Sequence, residues 1–269
     1  MGKIGFIGGG NMAEALIKGV ITAGVYSSDN ILVSDVKLER LTFLAKRYQV
    51  QTVDTNASLA KKADILVLSV KPQNIKEVLQ GIKGELKKDI LVISIAAGVR
   101  IANIAVELGD VAIVRVMPNT PALIGEGASA LFANNKAKTM LEMAQSIFSA
   151  VGEYVVVNNE DLLDAVTAVS GSGPAYYFLL MEEMIKTAGK LGLPADVAKK
   201  LVLQTAKGAS LLAAEADKAG ETVEQLRQKV TSPGGTTEAA LKVMEDGHIG
   251  LLIQQAITRA QQRSRELSN

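Results

Sequence analysis

Residues 8–13 read Gly8-Gly9-Gly10-Asn11-Met12-Ala13, a G-x-G-x-x-A spacing that ends one apolar run and opens an amphipathic one. That spacing suits a diphosphate. The first glycine permits a tight turn, the second lets backbone approach the pyrophosphate, and the small third residue packs helix on strand. The following helix adds free N–H groups and the positive end of its dipole. A second stretch, Thr231-Ser232-Pro233-Gly234-Gly235-Thr236-Thr237, puts four hydroxyls, a proline and two glycines in a region that otherwise reads as helix. It has no histidine, cysteine, lysine pair or carboxylate pair. Two readings fit it. Ser, Thr, Pro and Gly are favoured at helix caps and turns. Backbone N–H groups at a helix start, helped by hydroxyls, also suit a small carboxylate.

The elements that must carry these stretches alternate in the first half. Lys3–Gly8, Asn30–Asp35, Ala63–Val70, Asp89–Ala96 and Val111–Met117 read as strands, several of them apolar throughout, as in a parallel sheet covered on both faces. Periodic segments such as Met12–Ala23, Leu38–Arg47, Asn74–Leu86 and Ile101–Leu108 read as the helices between them. The expected fold class is α/β: a doubly wound, Rossmann-type sheet over residues 1–158, then an all-helical domain over 159–269. Helices are expected at about 160–169, 175–191, 195–219, 223–229, 236–245 and 249–267, with Gly/Ser/Pro interruptions at Ser170–Pro174 and Thr231–Gly235. At the end of the second strand, Asp35 can accept hydrogen bonds from a ribose, which favours NAD, whereas Ser34, Lys37 and Arg40 can hold a 2′-phosphate. Asn119 and Thr120 follow a strand at the carboxyl end of the sheet, where open α/β sheets bind ligands.

Composition narrows the chemistry. The 269 residues include no cysteine and one histidine, His248. Disulfides and thiolate nucleophiles are thereby excluded, and neither a metal site nor a Ser-His-Asp triad is expected. A net charge of +1 gives no footprint for nucleic acid or an anionic membrane. No apolar run approaches the roughly 18–20 residues that span a bilayer, and the start lacks the pattern of a signal peptide. A cytoplasmic location is expected.

Taken together, "GFIGGGNM" (Gly5–Met12), "VKPQ" (Val70–Gln73), "SIAAGV" (Ser94–Val99), "MPNTP" (Met117–Pro121), "SGSGPAY" (Ser170–Tyr176) and "SPGGTT" (Ser232–Thr237) resemble pyrroline-5-carboxylate reductase, in family order and over almost the whole chain. The last two are the most specific. The resemblance implies reduction of the cyclic imine 1-pyrroline-5-carboxylate to proline by NADPH or NADH. It implies a homodimer interlocked through the helical domain, with further assembly of dimers up to a decamer. Gly8, Gly10, Asn11, Met12 and Ser34 then match the cofactor site. Val70, Lys71, Pro72, Ala96 and Ala97 match segments near the nicotinamide, and Asn56 a position on the adenosine side. The loop with Ser232, Gly234, Gly235 and Thr236 would hold the substrate carboxylate, Thr237 would reach the ring nitrogen, and Asn119 would line the pocket. In the family that loop comes from the partner subunit.

The absence of an acid or base fits this reaction. Ketone reduction builds negative charge on oxygen and needs a positioned proton donor. A protonated imine already carries positive charge, which hydride addition neutralises, so orientation, a dry pocket and a carboxylate anchor suffice. A β-hydroxyacid dehydrogenase would carry a lysine where this chain has Tyr177. A non-catalytic dinucleotide-binding regulator would need the glycine turn and the helical dimer but not the hydroxyl loop.

Overall fold

The structure, a computed structural model, describes residues 2–268. They group into two compact units, one up to Pro174 joined by the residues from Arg259 onward, the other Ala175–Thr258.

The first unit is built on β1 (Ile4–Ile7), β2 (Ile31–Ser34), β3 (Gln51–Thr52), β4 (Ile65–Leu68), β5 (Leu91–Ser94), β6 (Ala112–Met117), β7 (Gly127–Ala133) and β8 (Gly152–Val156). The sheet order is β3-β2-β1-β4-β5-β6-β7-β8. Every pair is parallel except β6 with β7. Between the strands run α1 (Asn11–Thr22), α2 (Leu38–Tyr48), α3 (Asn56–Lys62), α4 (Ile75–Ile82), α5 (Ile101–Leu108) and α6 (Leu141–Ser149).

Strands β1, β2, β4 and β5 are buried at every residue, which explains their unbroken apolar sequence. Alternate side chains enter two cores. Ile4, Phe6, Ile31, Val33, Ile65 and Val67 meet Leu16, Ile17, Leu44 and Phe148 from α1, α2 and α6. Ile7, Leu32, Leu66 and Leu68 meet Leu59, Leu79 and Ile104 from α3, α4 and α5. Each such side chain stabilises the fold by roughly 1.5–3 kcal/mol. The strand order reverses between β1 and β4, the switch point at whose carboxyl end open α/β sheets bind ligands.

Two elements were not expected from the sequence, β3 and α3. Strand β3 has two exposed residues and no apolar pattern. Helix α3 buries only Leu59 and Ala60, and its start is fixed by the Thr55 hydroxyl accepting from the Ser58 N–H at 3.1 Å. Beyond β8, α7 (Leu162–Val166) runs into a π-helical turn at Thr167–Gly171 and then into α8 (Gly173–Lys190). The expected interruption at Ser170–Pro174 is therefore a widened helical turn. A Cβ on Gly171 would stand 2.4 Å from the Met117 methyl, so only glycine fits the turn without displacing Met117.

The second unit holds most of α8, α9 (Ala195–Lys218), α10 (Val223–Lys229), α11 (Thr236–Asp246) and the first half of α12 (Ile249–Ser268). A reciprocal capping box starts α10: the Gln225 N–H donates to the Thr222 hydroxyl, and the Thr222 N–H to the Gln225 amide oxygen. His248, with φ +55°, makes the corner between α11 and α12. Among its described residues only Ala198, Val202 and Ala216 are buried apolar side chains, while Tyr177, Phe178, Leu179, Leu201, Leu211 and Leu252 are exposed. Surfaces this apolar mark an interface.

Candidate active site

At the end of β1 the chain turns through Gly8, whose φ of +96° favours glycine. A Cβ there would lie 2.7 Å from the Ser69 carbonyl oxygen. The Ser69 hydroxyl donates to the carbonyls of Ile7 (2.9 Å) and Gly8 (2.7 Å), and the Gly8 N–H donates to the Ser34 carbonyl at 2.8 Å. Gly10 differs. It is exposed, and a Cβ on it would meet nothing within 4 Å. Gly8 is required by the protein itself, whereas Gly10 keeps space clear at the start of α1, whose N-cap makes no side-chain hydrogen bond. That clear space in front of a helix N-terminus fits a diphosphate.

The turn is braced from β2 and α2. The Gly9 N–H donates to Asp35 Oδ2 at 2.6 Å, and the Lys37 N–H to Asp35 Oδ1 at 2.8 Å. Arg40 donates to the Gly9 carbonyl, pairs with Glu14 on α1, and stacks 5.0 Å from the Phe43 ring centroid. Tyr48 donates to the other Glu14 oxygen at 2.9 Å. Burial raises the Glu14 carboxyl, but the hydrogen bonds from Arg40 and Tyr48 outweigh it and hold the group below its usual range. Sequence reasoning missed this brace, because neither Glu14 nor Tyr48 belongs to a motif.

The other cofactor candidates fall on neighbouring carboxyl ends. Ser34 is 2% exposed and donates to Asn56 Oδ1 at 2.7 Å, joining β2 to the start of α3. Val70, Lys71 and Pro72 follow β4, with Lys71 exposed, and Ala96 and Ala97 follow β5. Asn119, after β6, accepts the Ala128 N–H at 2.8 Å and donates to the Ser170 carbonyl at 3.3 Å, tying the β6–β7 connection to the π-turn. A partly buried pair also escaped the sequence reading: Arg115 on β6, 4% exposed, meets Glu160 at 3.0 Å, which also accepts the Ile101 N–H at the start of α5.

In the second unit, Ser232–Gly235 form a β-turn closed by the Gly235 N–H donating to the Ser232 carbonyl at 3.0 Å. Gly234 has φ +73°, and Pro233 precedes it, the signature of a type II turn. Gly235 caps α11, and no side chain caps that helix start. The hydroxyls of Ser232, Thr236 and Thr237 have no hydrogen-bond partner among the described residues. The Gly234 N–H donates to Glu238 Oε2 at 2.7 Å.

Both regions of the chain resemble known proteins. Residues 160–267 match the family model for pyrroline-5-carboxylate reductase dimerisation, and residues 3–98 the one described as NADP oxidoreductase, coenzyme F420-dependent. A pyrroline-5-carboxylate reductase of Pseudomonas aeruginosa is 45% identical, covering 99% of this chain and 97% of its own. The solved structure of a pyrroline-5-carboxylate reductase from Coxiella burnetii is 44% identical, with TM-score 0.92, over 100% of this chain and 99% of that one. That of Plasmodium falciparum pyrroline carboxylate reductase, with NADP bound, is 33% identical, with TM-score 0.88, over 99% and 98%.

Proposed function

The chain belongs to the pyrroline-5-carboxylate reductase family, and on that premise we propose how its own residues carry out the reaction. It is an NAD(P)H-dependent oxidoreductase that reduces 1-pyrroline-5-carboxylate to L-proline, the last step of proline biosynthesis. The observation that carries the reading is the pair of glycine-rich helix starts: cleared space at Gly10 before α1, and, at Ser232–Thr237, hydroxyls without a partner among the described residues before a helix whose N-cap makes no side-chain hydrogen bond.

NAD(P)H, when bound, supplies the hydride. Gly8, Gly10, Asn11 and Met12 hold its diphosphate, Ser34 and Asn56 its adenosine side, and Val70, Lys71, Pro72, Ala96 and Ala97 line the nicotinamide end. Ser232 and Thr236 hold the substrate carboxylate through their hydroxyls and the backbone N–H groups at the start of α11, on a turn shaped by Gly234 and Gly235, whose own N–H groups go to Glu238 and the Ser232 carbonyl. Thr237 forms a hydrogen bond at the ring nitrogen, a role its hydroxyl fills as donor or acceptor. Asn119 shapes the pocket wall.

The division of labour follows the two halves: residues 1–158 bind the cofactor, and residues 159–269 dimerise and bind substrate. The exposed apolar side chains of α8, α9 and α12 support a homodimer in which the loop of one chain serves the cofactor of the other, and such dimers assemble further to a decamer. The location is cytoplasmic; no helix among the described residues is long and apolar enough to cross a membrane.

The test is a spectrophotometric assay of NADPH and NADH oxidation with 1-pyrroline-5-carboxylate. Turnover with at least one cofactor is expected, and its absence with both would overturn the reading. The ratio of the two rates decides between Asp35, which favours NADH, and Lys37 with Arg40, which favour NADPH.

A further inference from the structure

The residue after Thr237 is a glutamate, an unexpected charge beside a loop that has to hold a carboxylate. Its carboxylate is engaged: Glu238 Oε2 accepts the Gly234 N–H at 2.7 Å. Gly235 is the N-cap of α11, so Thr236, Thr237 and Glu238 are its first three residues. An acidic side chain at the third position reaching back to the backbone is half of a capping box, here displaced by one residue onto Gly234.

The displacement matters because Gly234 is the third residue of the β-turn. Its φ of +73° and the 3.0 Å bond from the Gly235 N–H to the Ser232 carbonyl define type II. A type II turn becomes type I by rotating the peptide between its two central residues, here Pro233 and Gly234. That rotation swings the Gly234 N–H away and reverses the dipole the turn presents. The hydrogen bond to Glu238 holds the peptide in one of the two orientations. A Cβ built on Gly234 would meet nothing within 4 Å, and the turn is mostly exposed.

We propose that Glu238 is a positioning residue for the substrate loop: by accepting the Gly234 N–H it locks the Pro233–Gly234 peptide in the type II orientation, so that Ser232, Thr236 and Thr237 meet the substrate carboxylate already arranged. The inference rests on the assignment of this loop to the substrate. A locked loop loses less conformational freedom on binding, so the effect falls on substrate affinity. The chemical step and cofactor binding stay as they are.

The experiment compares Michaelis parameters of wild type, Glu238→Ala and Glu238→Gln with 1-pyrroline-5-carboxylate and with the preferred nicotinamide cofactor. Glu238→Ala raises KM for the imine about tenfold, with kcat and the cofactor KM within about twofold of wild type. Glu238→Gln keeps an acceptor oxygen without the charge and restores KM to the wild-type value or below. An unchanged or lowered KM in Glu238→Ala would overturn the proposal, as would a Glu238→Gln variant as impaired as the alanine one. An inert wild type would instead bring down the functional reading and this inference with it, whereas an active wild type with an unmoved Glu238→Ala KM defeats the inference alone.

Discussion

The two glycine-rich turns proposed as anion sites are built in opposite ways. At Gly8–Met12 the backbone is wrapped in its own protein: Ser69, Asp35, Arg40, Glu14 and Tyr48 all act on the turn or on the helix behind it. At Ser232–Thr237 the loop stands almost alone, with Glu238 as its one side-chain brace and three hydroxyls unpartnered among the described residues. The surrounding cores differ likewise. Two large clusters flank the sheet, whereas the helices of the second unit expose their leucines. A site finished within one chain needs no neighbour. A site of bare hydroxyls on helices with an uncovered apolar surface is what a chain completed by a second copy presents.

Removing function from each site without unfolding it should produce the largest effects. Gly10→Val adds a side chain where the present backbone, at φ −67°, tolerates one and no atom lies within 4 Å. Binding of NADPH and NADH, followed by nicotinamide fluorescence, should weaken about 100-fold at an unchanged Tm. Thr237→Ala should lower kcat/KM for the imine about 100-fold while leaving cofactor binding intact. Unchanged turnover would remove Thr237 from the mechanism.

Gly8→Ala should behave differently from Gly10→Val although it lies two residues away. The strained φ and the approach to the Ser69 carbonyl predict a loss of about 2–4 kcal/mol in chemical denaturation. Equal stability of the two variants would dissolve the distinction between a glycine kept for the fold and one kept for the ligand.

The smallest effect concerns the brace. Because the folded Glu14 carboxyl is held below its ordinary value, its contribution is present above a pH of about 4.5 and is lost as pH falls through the lower folded value. Glu14→Gln should therefore cost about 0.5–1 kcal/mol at neutral pH and flatten the acid limb of a Tm–pH curve below 4.5. A limb of wild-type slope would show that Glu14 takes no part.

Much of this was legible in the sequence where one residue type has one physical use. Buried parallel strands such as Ile65–Leu68 announce themselves as apolar runs, and a G-x-G-x-x-A after such a run marks a nucleotide turn. Less was legible where the fold hangs on single contacts. Two exposed residues make β3 through backbone pairing with β2, helped by the Gln51 amide donating to the Asp29 carbonyl at 2.7 Å. The π-turn at Thr167–Gly171 has the composition of a break, although the helical path continues through it. The antiparallel setting of β7 is invisible because its apolar content matches that of its parallel neighbours. In the proposed cofactor site, motif spacing marked Gly8 and Gly10, which form the turn between β1 and α1. It could not show that Asp35 and Arg40 grip Gly9 from both sides, since those partners lie 26 and 31 residues away. Glu238 is likewise an ordinary first-turn acid until its distance to Gly234 is known.

The central claim, that the turn of one chain works with the loop of another, is tested most directly by mixing two dead variants. Gly10→Val lacks a cofactor site but keeps its loop, and Thr237→Ala has the reverse defect. Co-expressed and randomly paired, half of the dimers are mixed, and each mixed dimer regains one working site of two. The predicted imine reductase activity is about a quarter of wild type. A mixture as inactive as its two parents would contradict the claim and return each loop to its own chain.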